Sequence, residues 1–111
     1  MVEKVVLDYL NAALSVPAYM EKPEQKPESY VVIEKTGSGK RDQLNYAVAA
    51  IQSYGRTMLE AATLNEAVKA AMDEIISLPE IGRCKLNTDY NFTDPETKEY
   101  RYQAVFDLIV Y

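Results

Sequence analysis

The chain has 111 residues, one cysteine, no histidine or tryptophan, and a formal net charge of −5 from 12 basic and 17 acidic side chains. That length makes a single domain, residues 1–111, which buries about two-thirds of its unfolded surface without staples. The acidic balance argues against a generic nucleic-acid binder, which needs a basic footprint to displace counterions, and the lone Cys84 excludes an intrachain disulfide.

Val2–Leu14 predicts an amphipathic helix. Val2, Val5, Val6, Tyr9, Leu10 and Ala13 share one face, Glu3, Lys4, Asp8 and Asn11 fall largely opposite, and Pro17 limits its extension. The first 20 residues lack a basic region followed by an apolar run, so no signal peptide is expected. No stretch reaches the roughly 18 apolar residues of a membrane span. Val16–Met20 predicts a short, weak strand, and EKPEQKPES over 21–29 a loop of polyproline character. Tyr30–Thr36 is β-branched and aromatic at its start, as a strand requires. Thr36–Asp42, TGSGKRD, predicts a turn, and Leu44–Tyr54 a second strand closing an antiparallel hairpin. The alanines of Leu44–Tyr54 also suit a helix, but Leu44, Tyr46 and Val48 alternate and Gly55 follows.

Thr57–Leu78 is the longest segment of unbroken helical period, with Ala61, Leu64, Val68, Ala71, Ile75 and Leu78 at spacings of three and four. Thr57 to Glu60 reads as a capping box, and Pro79 ends the segment. The strand beginning at Cys84 is expected to put Cys84, Leu86, Thr88, Tyr90 and Phe92 on one face, and Lys85, Asn87, Asp89, Asn91 and Thr93 on the other. Asp94-Pro95-Glu96-Thr97 has the residues of a type I turn. In the last strand Tyr100, Tyr102, Ala104, Phe106, Leu108 and Val110 share one face. The expected fold is α+β, ordered α-β-β-β-α-β-β. A single mostly antiparallel sheet carries two helices on its apolar face, and Tyr46, Tyr90, Tyr100 and Tyr102 are assigned to the core.

Catalytic chemistry has little material. Gly37-Ser38-Gly39-Lys40 follows a strand but is not a phosphate loop, since Arg41 replaces the required Ser or Thr and no helix follows. It reads as a flexible hairpin tip, whose Lys35, Lys40 and Arg41 leave open a contact with an acidic partner or a phosphate backbone. Asp89, Asp94, Glu96 and Glu99 sit in or beside a turn and read as a solvated hairpin rather than an acid–base or metal cluster. Cys84 reads as a buried structural thiol. No enzyme, cofactor or metal is expected. Val105, Ile109 and Tyr111 leave apolar residues on the polar sheet face, marking either a partner surface or ground covered by a loop or the first helix.

The sequence VPAYMEKPEQKPESYVVIEKTG, a strand ending IQSYG, the segment TMLEAATLNEAVKAAMDEI and a closing YRYQAVFDLIVY together resemble the tail-terminator (tail-completion, head–tail joining) proteins of long-tailed bacteriophages. The resemblance spans nearly the whole chain and is carried by no catalytic motif. It implies a ring, typically hexameric, that caps the head-proximal end of the tail tube, stops polymerisation and docks the head connector while DNA passes through the lumen. It implies a place in the virion tail, synthesis in the bacterial host cytoplasm, and the tube protein, the connector and further copies of the chain as partners, with no membrane. On this reading the tips Gly37, Ser38, Gly39, Lys40, Arg41 and Asp94, Pro95, Glu96, Lys98 contact neighbouring rings. The residues alone leave open another head–tail or tail structural protein, a small-molecule-binding α+β domain with a pocket between helix and sheet, and a regulatory or interaction module.

Overall fold

In the computed structural model, which describes residues 1–111, the two amphipathic segments fold as helices and the alternating segments as strands. The order is α1 (Val2–Ala13), β1 (Ala18–Tyr19), β2 (Tyr30–Arg41), β3 (Leu44–Tyr54), α2 (Met58–Asp73), a 3-10 turn at Ile75–Ser77, β4 (Ile81–Asn91) and β5 (Arg101–Val110). The strands make one sheet in the spatial order β1-β2-β3-β5-β4. Only the short β1 runs parallel to its neighbour β2; the remaining pairs are antiparallel. The fold class is therefore α+β, with both helices on one face.

The core lies under those helices. Val6 and Leu10 of α1, Val68 and Met72 of α2 and Ile75 of the 3-10 turn pack on Val31, Ile33, Ala49, Ile51, Phe106 and Leu108. Each large aliphatic side chain buried there contributes about 1.5–3 kcal/mol. The alanines that made Leu44–Tyr54 ambiguous have a packing reason, because Ala49, Ala104 and Ala61 are buried and leave room for α2 to approach the sheet. Gly55 lets the chain enter α2, since a Cβ there would lie 2.6 Å from the Ala61 backbone nitrogen.

Several expected boundaries move, each for a local reason. The cap of α2 forms as read, with Thr57 Oγ1 accepting from the Glu60 N–H at 3.1 Å. The helix ends at Asp73, however, and residues through Ser77 tighten into the 3-10 turn that drops Ile75 into the core. Thr36–Asp42 is not a turn. β2 runs on to Arg41, with a bulge between Lys35 and Gly37, and the reversal is made by Asp42 and Gln43, both at positive φ (51° and 66°). Two consecutive left-handed residues make a type I′ hairpin turn, and the glycines upstream are strand residues.

β4 carries two further register shifts, between Ile81 and Arg83 and between Leu86 and Thr88, and the latter breaks the alternation of its second half. Cys84 and Leu86 lie opposite Leu108 and Phe106, whereas Tyr90 lies opposite Gln103. The inserted residue moves Tyr90 and Phe92 to the helix-free face and turns Asp89 toward α2. Tyr90, assigned to the core from its spacing, is accordingly exposed (41%), and Tyr46, assigned likewise, is exposed (37%) because its register with Gly39 and Ile109 puts it on the same helix-free face.

Candidate functional site

The helix-free face divides into three zones along the strands. At the end where Tyr54 pairs with Arg101, Tyr30 stacks on Tyr54 with ring centroids 4.5 Å apart, and Tyr19 meets Tyr30 edge-on. The Pro-rich segment over 21–29 crosses this aromatic ground as a strap. Lys22 and Lys26 both pair with Glu99, the second at 3.2 Å, and Lys22 sits 5.7 Å from the Tyr54 ring centroid. Arg56 anchors the far end of the strap through Glu28 at 3.2 Å. The two ammonium groups hold the Glu99 carboxyl below its ordinary range against the opposing effect of desolvation. The middle zone is a polar ladder in which Gln52 Nε2 donates to Gln103 Oε1 at 2.8 Å and Gln103 Nε2 donates to the Tyr90 hydroxyl. Arg101 closes it, donating to the Phe92 carbonyl at 2.6 Å with its guanidinium 4.5 Å from the Phe92 ring centroid.

The third zone, at the Asp42–Gln43 end, is uncovered. Here a groove of about 530 Å³ is floored by Tyr46, Val48 and Ile109 and bordered by Arg41, Arg83, Lys85, Asp42 and Asp107. The expected glycine motif explains its shape. Gly37 pairs with Val48 and Gly39 with Tyr46 on this face. No atom lies within 4 Å of where a Gly37 Cβ would stand, and the Tyr46 ring folds over Gly39. An aromatic ring covering a cross-strand glycine restores packing that the glycine lacks. Arg41 completes the stack with its guanidinium 5.6 Å from the Tyr46 ring centroid.

The candidate contact residues therefore fall into two separated groups. Gly37, Ser38, Gly39, Lys40 and Arg41 belong to β2 rather than to a protruding tip, and of them only Arg41 lines the bare groove. Asp94, Pro95, Glu96 and Lys98 form the β4–β5 connection, at the opposite end of a molecule 43 Å long. That connection is pre-shaped. Asp94 Oδ1 accepts from the Glu96 N–H at 2.9 Å, and the Lys98 N–H donates to the Asp94 carbonyl at 2.8 Å with Lys98 at φ 55°. The backbone N–H groups of Glu96 and Thr97 hold the Asp94 carboxyl below its usual range.

Two other carboxylate and thiol readings are now placed. Asp89 is not on the solvated face, because its Oδ2 accepts from Asn65 Nδ2 at 2.8 Å and from Lys69 Nζ at 3.0 Å, clamping β4 to α2. Those contacts depress its pKa, Lys69 most strongly. Cys84 is half-buried against the core, and burial pushes its thiol up to about 11, away from nucleophilic reactivity. No three His, Cys, Asp or Glu side chains converge as a metal site would require. No helix is long and apolar enough to cross a membrane.

Sequence reasoning found the apolar residues Val105 and Ile109 on this face and missed the groove beside them. The covering element is the 21–29 strap, and it reaches only the far end; α1 lies on the other side of the sheet. The readable signal was the pairing of glycines with Tyr46 and Val48 across a two-residue turn, which the turn reading of Thr36–Asp42 concealed.

Comparison with protein-family models finds no match, and comparison with curated protein sequences finds none. Among solved structures, the chain is similar in fold to a chain of the virion of a native gene transfer agent particle, at a TM-score of 0.51 and 13% sequence identity, covering 96% of this chain and 84% of that one.

Proposed function

We propose that this protein is a structural component of a phage-type virion, of the tail-terminator kind, rather than an enzyme. The carrying observation is that its fold is similar to that of a virion chain, at a TM-score of 0.51 over 96% of this chain and 84% of that one. The resemblance of its sequence to tail terminators gives the finer role: a ring on the head-proximal end of the tail tube that stops tube growth and receives the head connector, with DNA passing through.

Three features support that role. Both edges of the sheet are free, since β1 covers only Val31 and Val32 of β2 and nothing flanks β4. Opposite free edges on one subunit suit a heterologous contact that closes into a ring. The two groups of candidate contact residues stand at opposite ends of the long axis, where a ring between tube and connector would present one group to each neighbour. The net charge of −5 suits a lumen through which DNA slides without sticking.

The test is to mix purified protein with tail tubes and image the tube ends by electron microscopy. Density capping one end of each tube is expected. Binding along the tube walls, or none, refutes the terminator role.

A further inference from the structure

The groove at the Asp42–Gln43 end differs from the rest of the surface in how its charges are arranged. Six of the 12 cations, Lys4, Lys22, Lys26, Lys35, Arg56 and Lys69, pair with carboxylates within 4 Å. A seventh, Arg101, is spent on the Phe92 carbonyl and the Tyr54 hydroxyl. The remaining five, Lys40, Arg41, Arg83, Lys85 and Lys98, form no ion pair, and three of them, Arg41, Arg83 and Lys85, border the groove. With Asp42 and Asp107 the lining carries three positive and two negative charges, a local balance of +1 on a chain of −5. One of those carboxylates is already engaged, since Asn87 Nδ2 donates to Asp107 at 3.1 Å. Between the cations lies an apolar floor of Tyr46, Val48 and Ile109 that the strap leaves bare.

We infer that this groove docks an extended acidic segment of a partner protein, with one apolar side chain of that segment on Tyr46, Val48 and Ile109 and its flanking carboxylates against Arg41, Arg83 and Lys85. Charge complementarity selects the occupant. An acidic segment supplies the counter-charges that the rest of the protein supplies for its own cations, and the apolar floor gains from a side chain that excludes water. A nucleic-acid backbone fits less well, because the apolar floor gives a phosphate nothing, whereas an acidic protein segment can carry an apolar side chain between its carboxylates. The chain's own acidic, Pro-rich segment is committed to the other end of the sheet through Glu99 and Arg56. The inference goes beyond the ring reading and does not rest on it, since tube capping can fail while the groove still binds.

The experiment titrates the isolated protein with a fluorescein-labelled, acetylated and amidated heptapeptide, Asp-Glu-Leu-Asp-Phe-Glu-Asp. It follows anisotropy and amide shifts by nuclear magnetic resonance. Saturable binding is expected, with shifts confined to the amides around Tyr46, Val48 and Ile109, and weakening as salt rises from about 0.05 to about 0.5 M. Lys85→Glu should weaken binding about tenfold. Lys98→Glu, a change at the far end of the molecule, should leave it unchanged. Ile109→Ser, which makes the floor polar while keeping every charge, should weaken it as much as Lys85→Glu, with far-ultraviolet circular dichroism confirming the fold. Five results overturn the inference: no saturation at about millimolar peptide, shifts centred elsewhere, equal affinity for a peptide with serine in place of Leu and Phe, tighter binding of a duplex oligonucleotide, or self-association of the protein through these same amides.

Discussion

Asp89→Ala tests the clamp between β4 and α2. Asn65 is 1% exposed, and its Oδ1 already lacks a partner. Its Nδ2 depends on Asp89 at 2.8 Å. Truncating Asp89 leaves that buried amide with no partner at either atom, and an abandoned buried donor costs about 1–3 kcal/mol. The loss of the Lys69 pair adds less than about 1 kcal/mol, because both side chains are about a quarter exposed (23% and 28%) and Lys69 keeps Glu66. The expected loss is about 2–3 kcal/mol, or a fall in melting temperature of about 8–12 °C for a chain of this size. Urea unfolding followed by circular dichroism measures it. The companion variant Asn65→Leu/Asp89→Leu replaces donor and acceptor with apolar groups and should recover most of the loss. The acid limb supplies the sign. The folded pKa of Asp89 is depressed, so its contribution is present above the ordinary carboxylate range and is lost as pH falls through the lowered value. Wild type should therefore lose stability faster than Asp89→Asn on acidification below about pH 4. A loss below about 0.5 kcal/mol for Asp89→Ala, within the range of ordinary surface substitutions, or parallel acid limbs in the two proteins, refutes the clamp.

Tyr30→Phe should be neutral or stabilising by about 1 kcal/mol, since the buried Tyr30 hydroxyl has no partner and the Tyr54 stack survives. Burial pushes that phenol up to about 12, so its contribution is intact below the ordinary tyrosine pKa and is lost as pH rises toward 12; the variant should flatten the alkaline limb of a thermal-stability profile. Glu99→Gln removes the shared partner of Lys22 and Lys26 and should speed proteolysis within 21–29 while leaving the melting temperature within a few degrees, read by limited digestion and mass spectrometry. Gly55→Ala should cost about 1–3 kcal/mol, because its Cβ meets α2 backbone, whereas Gly37→Ala meets nothing and should gain up to about 1 kcal/mol, both read by urea unfolding. Phe106→Ala should cost about 3–5 kcal/mol from the centre of the core.

The element order and the core were legible because hydrophobic period is a dense signal. Val68, Met72 and Ile75 repeat at helical spacing, Ala104, Phe106 and Leu108 alternate, and both sets meet under the helices. The helix-free face was illegible for three physical reasons. A bulge adds a single residue without marking the sequence, so Asn87 inverts the faces of Tyr90 and Asp89 unannounced. Gly-Ser-Gly signals a turn by composition, yet here the glycines are strand residues lying under a cross-strand tyrosine, and the left-handed positions fall to Asp42 and Gln43. The strap lands on Glu99 from more than seventy residues away (a separation of 77 for Lys22), a distance no local pattern encodes.

These misreadings bear on function because they all concern one face. A sheet with helices on one side must dispose of the other, and this protein does so unevenly. One end is sealed by aromatic stacking and a strap pinned through Glu99. The middle is closed by a satisfied glutamine ladder. The Asp42–Gln43 end alone combines exposed Tyr46 and Leu44 with the unpaired cations Arg41, Arg83 and Lys85 around a bare floor. Stability does not require the open end: a side chain at Gly37 would meet nothing within 4 Å, whereas Gly39 must stay bare for the Tyr46 ring that lies over it. The bare end is therefore the surface proposed for contact, opposite an end that two lysines on one carboxylate secure. That holds whether the neighbour is a tube subunit, a connector or another protein.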